Sequence, residues 1–136
     1  MKNISQEEVW DNIANPWKDF RAKPIPEAID FLKNKKGKIL DLCCGSGRNF
    51  TKIKGVIYGV DFSKNMLKYA KKFADKEKIK VVLKKSKADK IPFGDGFFDS
   101  AIYVASLQCL ASEKARKNSL KELYRVLNLG AEAMIT

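Results

Sequence analysis

The sequence predicts an α/β domain built on a doubly wound, mostly parallel sheet with helices on both faces. Three observations point there. Short apolar segments alternate with amphipathic ones from residue 38 onward. A glycine turn, Cys43-Cys44-Gly45-Ser46-Gly47, directly follows the first apolar segment, and an acid, Asp61, closes the second. Strand, helix and strand at this spacing make βαβ units, whose crossovers give parallel strands covered on both sides.

The elements follow in chain order. Residues 5–15 read as a short helix, with Val9, Trp10 and Ile13 at helical spacing. Pro16, Pro24 and Pro26 argue against a long helix beyond it. Glu27 to Lys36 reads as a second helix with Ala28, Ile29 and Leu32 on one face, ended by Gly37. Lys38 to Leu42 is the first strand. The turn Cys43 to Arg48 leads into a short helix near Asn49 to Lys54. Gly55 to Val60 is the second strand. Ser63 caps a helix whose Met66, Leu67, Ala70, Phe73 and Ala74 form one apolar stripe. Lys80 to Leu83 is the third strand. Pro92, Gly94 and Gly96 make Ile91 to Phe98 a loop, and Asp99 to Ala105 is the fourth strand. Ser112 caps a long helix through Leu127, with Leu120, Leu123 and Leu127 inward and Asn128-Leu129-Gly130 as its stop. Ala131 to Thr136 is a fifth strand.

Composition narrows the chemistry. The 136 residues hold 27 Lys plus Arg against 16 Asp plus Glu, a net charge of +11, and no histidine. Imidazole catalysis, Ser-His-Asp triads and His-based metal sites are therefore excluded. Three cysteines, two of them adjacent, cannot form a disulfide framework. Nor can Cys43 and Cys44 alone enclose a tetrahedral zinc, so no metal is expected. They read as small buried residues at a tight turn, and Cys109 reads as a core residue. No apolar run is long enough to span a membrane. The polar N-terminus lacks the order of a signal peptide, which favours a cytoplasmic location. Nine lysines fall between Lys71 and Lys90. Such charge suits an anionic partner such as RNA, and equally a solvated lysine-rich surface.

Ligands of parallel sheets sit at the carboxyl ends of the strands. Gly45 and Gly47 let the backbone approach a ligand there. Phe50 stands where a dinucleotide-binding turn needs a third glycine, which argues against NAD. Asp41, just before the glycines, suits a cationic group. Asp61 can accept two hydrogen bonds from a ribose diol. Asp89 can accept from an adenine amino group while Ala88 leaves room for the ring.

These pieces in this order resemble the class I S-adenosylmethionine-dependent methyltransferases, whose sheet is Rossmann-like. The carriers are Ile39 to Gly47, Gly59-Val-Asp-Phe-Ser63, Ala88-Asp89 before Ile91-Pro92-Phe93, Phe98-Asp99, and Leu123-Tyr-Arg-Val-Leu127. The resemblance implies that Asp41 and the turn residues Cys43, Cys44, Gly45 and Gly47 hold the methionine part. Asp61 would hold the ribose, Phe62 and Ala88 would flank the adenine, and Asp89 would read its amino group. Met66 and Ala105 join this cofactor-binding set. A single domain over residues 1–136 follows, with residues 1–36 as an N-terminal helical segment and 37–136 as the cofactor-binding core.

Upstream, Val9-Trp10-Asp11, Ile13-Ala14 and Arg21-Ala-Lys23-Pro24-Ile-Pro26 resemble the tRNA wobble-uridine carboxymethyl methyltransferases. Ala22 and Ile25 replace two aromatics of that family's run. Leu107-Gln108-Cys109 stands where a His pair is usual, and Leu129-Gly130-Ala131 where Pro-Gly-Gly is usual. The resemblance implies methyl transfer to a tRNA carboxylate. That nucleophile is already ionised at neutral pH, so no catalytic base is assigned. Arg21 and Lys23 would meet a substrate carboxylate, the cofactor carboxylate or tRNA phosphate. A small-molecule or quinone acceptor is the alternative, as is a cofactor-binding subunit active only with a partner chain. The family's sheet usually continues past strand five, whereas here the sequence stops within it. Ala131, Ala133, Met134 and Ile135 then give an apolar edge. A small zinc-containing activator protein, a C-terminal-half chain or a homodimer through strand five is the expected partner.

Overall fold

A computed structural model describes residues 4–20 and 23–136. Its five strands are β1 (Lys36–Leu42), β2 (Lys54–Asp61), β3 (Val81–Lys85), β4 (Phe98–Tyr103) and β5 (Leu127–Ile135). They form one sheet in the order β3-β2-β1-β4-β5, with every neighbouring pair parallel. The helices are α1 (Gln6–Phe20), α2 (Pro26–Leu32), α3 (Lys64–Glu77) and α4 (Glu113–Val126). The Rossmann-like doubly wound architecture expected from the sequence is therefore present.

The alternation of side chains along β1 explains its continuous apolar run. Leu40 and Leu42 point with Val60, Ala101 and Tyr103 toward Leu123 and Val126 of α4. Ile39 points the other way, with Ile102 and Val104, toward Ala28 and Leu32 of α2. Ile57 packs on that side against Ala70 and Ala74 of α3. A central parallel strand is covered on both faces and so has no polar side.

Four local expectations are corrected. Helix α1 continues past Pro16 to Phe20. An interior proline costs about 3 kcal/mol, and the packing of α1 on α3 described below offsets it. The second helix stops at Leu32, and Gly37 lies inside β1 instead of ending that helix. A Cβ on Gly55 would lie 2.0 Å from the Gly37 carbonyl, and one on Gly37 would lie 2.2 Å from an Asp99 carboxylate oxygen. These glycines let β1 and β2 begin side by side. Residues 49–53 form turns and extended chain instead of a helix. Asn49 Oδ1 accepts from the Ile25 N–H at 2.9 Å, and Phe50 is buried against α3, so both are held by distant partners. Finally, α4 buries Ser119, Leu123 and Val126, leaving Leu120 on its exposed side. That helix passes straight into β5 at Leu127. Gly130, at φ +79, lies in the stretch where the β4–β5 register shifts.

Candidate cofactor-binding site

A cleft opens at the carboxyl ends of β1, β2 and β4, where a doubly wound sheet reverses strand order. The turn after β1 forms its floor. Cys43 takes a positive φ of 59°, and the Cys44 N–H donates to the Val60 carbonyl at 3.0 Å. Asp61 then fixes the turn from the next strand. Its Oδ2 accepts from the Gly45 N–H at 2.9 Å, and its Oδ1 accepts from the Ser63 N–H at 3.0 Å. One carboxylate thus joins the glycine turn to the start of α3. Ser63 caps α3 as expected, accepting from the Met66 N–H at 3.1 Å.

Two buried acids face each other here. Burial and the neighbouring charge of Asp61 push the Asp41 carboxyl up to about 8, with Arg48 opposing. Burial also raises Asp61, but the bonds from Ser63 and Gly45 restrain that rise. Burial raises both the Cys43 and Cys44 thiols, so neither is a thiolate at neutral pH.

Eight of the expected cofactor residues line the cleft: Asp41, Cys43, Cys44, Gly45, Asp61, Phe62, Met66 and Ala105. Three do not. Gly47 is buried behind the turn, where a Cβ would lie 2.7 Å from the Phe50 ring. Ala88 is packed into the core beside Ile91 and Phe98. Asp89 lies outside the lining, yet its Oδ1 is buried without a hydrogen-bond partner. Of the expected substrate residues, Lys23 is exposed and away from the cleft, and Arg21 lies outside the described residues. Cys109 corrects the core reading: it is exposed, and it lines the cleft on the turn after β4.

Sequence reasoning missed the far wall. Trp10 and Trp17 of α1 line the cleft, with ring centroids 5.1 Å apart in an edge-to-face arrangement. Their seven-residue spacing was the available signal, obscured by Pro16 between them. Arg48, Gln108 and Leu110 complete the wall from two loops.

Comparison with known proteins decides the family. Residues 39–130 match the model of a methyltransferase domain. The chain belongs to the methyltransferase domain family. Its cofactor is S-adenosylmethionine. The chain is 38% identical over 117 residues to a 2-phytyl-1,4-naphtoquinone methyltransferase of Nostoc punctiforme, covering 79% of this chain and 50% of the relative. It is 31% identical over 130 residues to a tRNA (carboxymethyluridine(34)-5-O)-methyltransferase of Xenopus tropicalis, covering 93% of this chain and 20% of the relative. A Haloferax volcanii methyltransferase solved in complex with the Trm112 activator superposes with a TM-score of 0.73 at 20% identity, over 96% of this chain and 59% of the neighbour. The chain thus spans half or less of the length of these two curated relatives.

The methyltransferase cleft suits this cofactor chemically. A neutral Asp41 can ionise beside an arriving ammonium group. Both Asp61 oxygens keep lone pairs free for hydroxyl donors. Asp89 Oδ1 is an acceptor without a donor, and a buried acceptor of that kind calls for one.

Proposed function

We propose that this chain transfers the methyl group of S-adenosylmethionine to a carboxymethyl group on a tRNA wobble uridine. The observation that carries this reading is the charge of +11, with lysines concentrated along α3 and at the end of β3. Lys84 and Lys85 end β3 at the carboxyl end of the sheet, in register with Val60 and Asp61 of β2. A polyanion is drawn to such a rim. The Arg21 to Pro26 run and the 93% of the chain that aligns with the Xenopus relative support the same acceptor.

In this reading Asp61 takes the ribose hydroxyls, and Asp41 faces the cofactor ammonium. Phe62 flanks the adenine, and the buried Asp89 acceptor takes its amino group, while Ala88 packs in the core behind them. Cys43, Cys44 and Gly45 shape the floor under the methionine part, with Gly47 packed behind it on Phe50. Bound S-adenosylmethionine supplies an electrophilic methyl group on a sulfonium. The protein's task is then to align the acceptor and exclude water, which the Trp10–Trp17 wall serves. A carboxylate acceptor needs no proton removed, consistent with a chain that lacks histidine.

Labelled cofactor incubated with bulk tRNA tests the proposal. Label in tRNA, lost in Arg21→Ala, is the expected result; label confined to added quinone would replace it with the second reading. That reading, an aromatic small-molecule acceptor, is favoured by the 38% identity to the Nostoc relative and by the apolar Trp10, Trp17 and Leu110. The outer side of β5 supports a protein partner as well, because Leu129 is fully exposed and Ile135 is 44% exposed. A small zinc-containing activator, a C-terminal-half chain or a second copy would each cover it. A cytoplasmic location fits a tRNA substrate.

A further inference from the structure

Helix α1 carries two stripes with different work. Glu7, Asp11, Asn15 and Lys18 form a polar row at helical spacing. Glu7 pairs with Lys85 at 2.6 Å. Asp11 Oδ1 accepts from Ser63 Oγ at 2.6 Å and from the Asn65 N–H at 3.2 Å, while the Asp11 carbonyl accepts from Asn65 Nδ2 at 3.0 Å. The Tyr69 hydroxyl donates to Asn15 Oδ1 at 3.3 Å, and the Lys18 ammonium lies 5.2 Å from the Tyr69 ring centre. Trp10, Ala14 and Trp17 form the second row. Ala14 is buried, and the two tryptophans face the cleft.

An amphipathic helix ordinarily docks by its apolar stripe. Here much of that stripe is spent as cleft wall, so the polar row sets where the wall stands. Asp11 is its centre. It bonds to Ser63 Oγ, the Ser63 N–H bonds to Asp61, and Asp61 bonds to the Gly45 N–H. An unbroken chain of hydrogen bonds therefore runs from α1 to the glycine turn. Burial raises the Asp11 carboxyl, but the bonds from Ser63 and Asn65 and the charges of Lys64 and Lys85 outweigh it and hold it below its usual value. Asp11 is thus ionised at neutral pH, when its accepted hydrogen bonds are charge-assisted.

We infer that Asp11 is a positioning residue of the cleft: it registers the Trp10–Trp17 wall against Asp61 and the glycine turn, and so sets ligand affinity without touching the ligand. The inference rests on the reading that this cleft takes S-adenosylmethionine. S-adenosylhomocysteine, which cannot donate a methyl group, is the probe. It is titrated into wild type, Asp11→Ala and Asp11→Asn by calorimetry and by tryptophan fluorescence. Asp11→Ala is expected to bind at least about tenfold more weakly and to lose the fluorescence response, whereas Asp11→Asn, which keeps an acceptor for Ser63, stays within about threefold of wild type. Equal affinity and an equal fluorescence response in Asp11→Ala would overturn the inference. Should wild type bind no probe, the cofactor reading fails, and ligand-free emission then decides about Asp11. A red shift in Asp11→Ala that is restored in Asp11→Asn upholds its role, and unchanged emission removes it. Asn65→Ala, which deletes a single bond of the row, serves if Asp11→Ala does not fold, and a weaker shift in the same direction is expected.

Discussion

Asp41 is a buried carboxyl at the floor of the cleft. Its carboxyl is raised to about 8 by burial and by Asp61, against a value near about 3.9 in an unfolded chain. Between these values the folded state holds a proton that the unfolded state has lost. Stability is therefore full below the unfolded value, falls as pH rises toward 8, and then levels. The slope approaches ~1.4 kcal/mol per pH unit. Asp41→Asn should flatten it, and urea unfolding between pH 5 and 8.5 measures the difference. If the cleft takes a cofactor ammonium, binding near pH 7 should release a proton. Calorimetry in two buffers of different ionisation enthalpy would show the release, and Asp41→Asn should abolish it. Asp61 has a different kind of role, since both its oxygens already hold backbone N–H groups. Asp61→Ala leaves the buried Ser63 N–H unsatisfied, at a cost of roughly 1–3 kcal/mol, and also frees the part-buried Gly45 N–H. It should lower the melting temperature as well as cofactor affinity; a variant as stable as wild type would mean that the turn holds itself.

At the scale of elements, the loop between β3 and β4 is fastened by two side chains of α4, Arg125 and Glu122. Arg125 donates to the carbonyls of Phe93 at 2.9 Å and Ile91 at 3.0 Å, and it pairs with Asp95 and Glu122. The Glu122 carboxylate also accepts from the Ile91 N–H at 3.1 Å. This clamp sets the loop that follows Asp89. Arg125→Ala should cost about 2 kcal/mol, a value discounted for the partial exposure of the group. Amide exchange at residues 91–96 should rise with it. Helix boundaries at this scale were legible where a local signal and the core agreed: Ser63 and Ser112 cap α3 and α4 as their sequences suggest. They were illegible where a distant contact decided. Pro16 reads as a helix breaker, yet α1 runs through it along a seam with α3. Asn49 and Phe50 read as the start of a helix, yet each is held by a partner far away in sequence.

For the whole molecule, the two sheet edges differ. The β3 edge carries Lys84 and Lys85, charges that discourage further strand pairing. The β5 edge exposes Leu129 and Ile135, and Tyr124 of α4 is exposed as well. Leu129→Lys should reduce self-association in light scattering while changing stability by no more than about 0.5 kcal/mol, because the side chain is already in solvent. Binding to RNA through the lysine rim should weaken steeply with salt, by orders of magnitude between about 50 and 200 mM if several phosphates are engaged. An affinity indifferent to salt would argue for the small-molecule acceptor instead.

The sequence alone determined the doubly wound sheet and most of the cleft floor, because both are local. Strand periodicity, the Cys43 to Gly47 turn and the acids at strand ends are short-range patterns, and the sheet topology carries them to one place. Only the tertiary structure decided which of those residues face the cleft. Gly47 and Ala88 turned out to serve packing, while Asp89 carries a buried acceptor outside the lining. Only the tertiary structure brought α1 over the cleft. Asp11 and Ser63 are 52 residues apart in the chain, and hydrogen bonds at that separation leave no periodic trace in the sequence. The wall of the cleft is therefore a product of the fold, whereas its floor is a product of the local sequence.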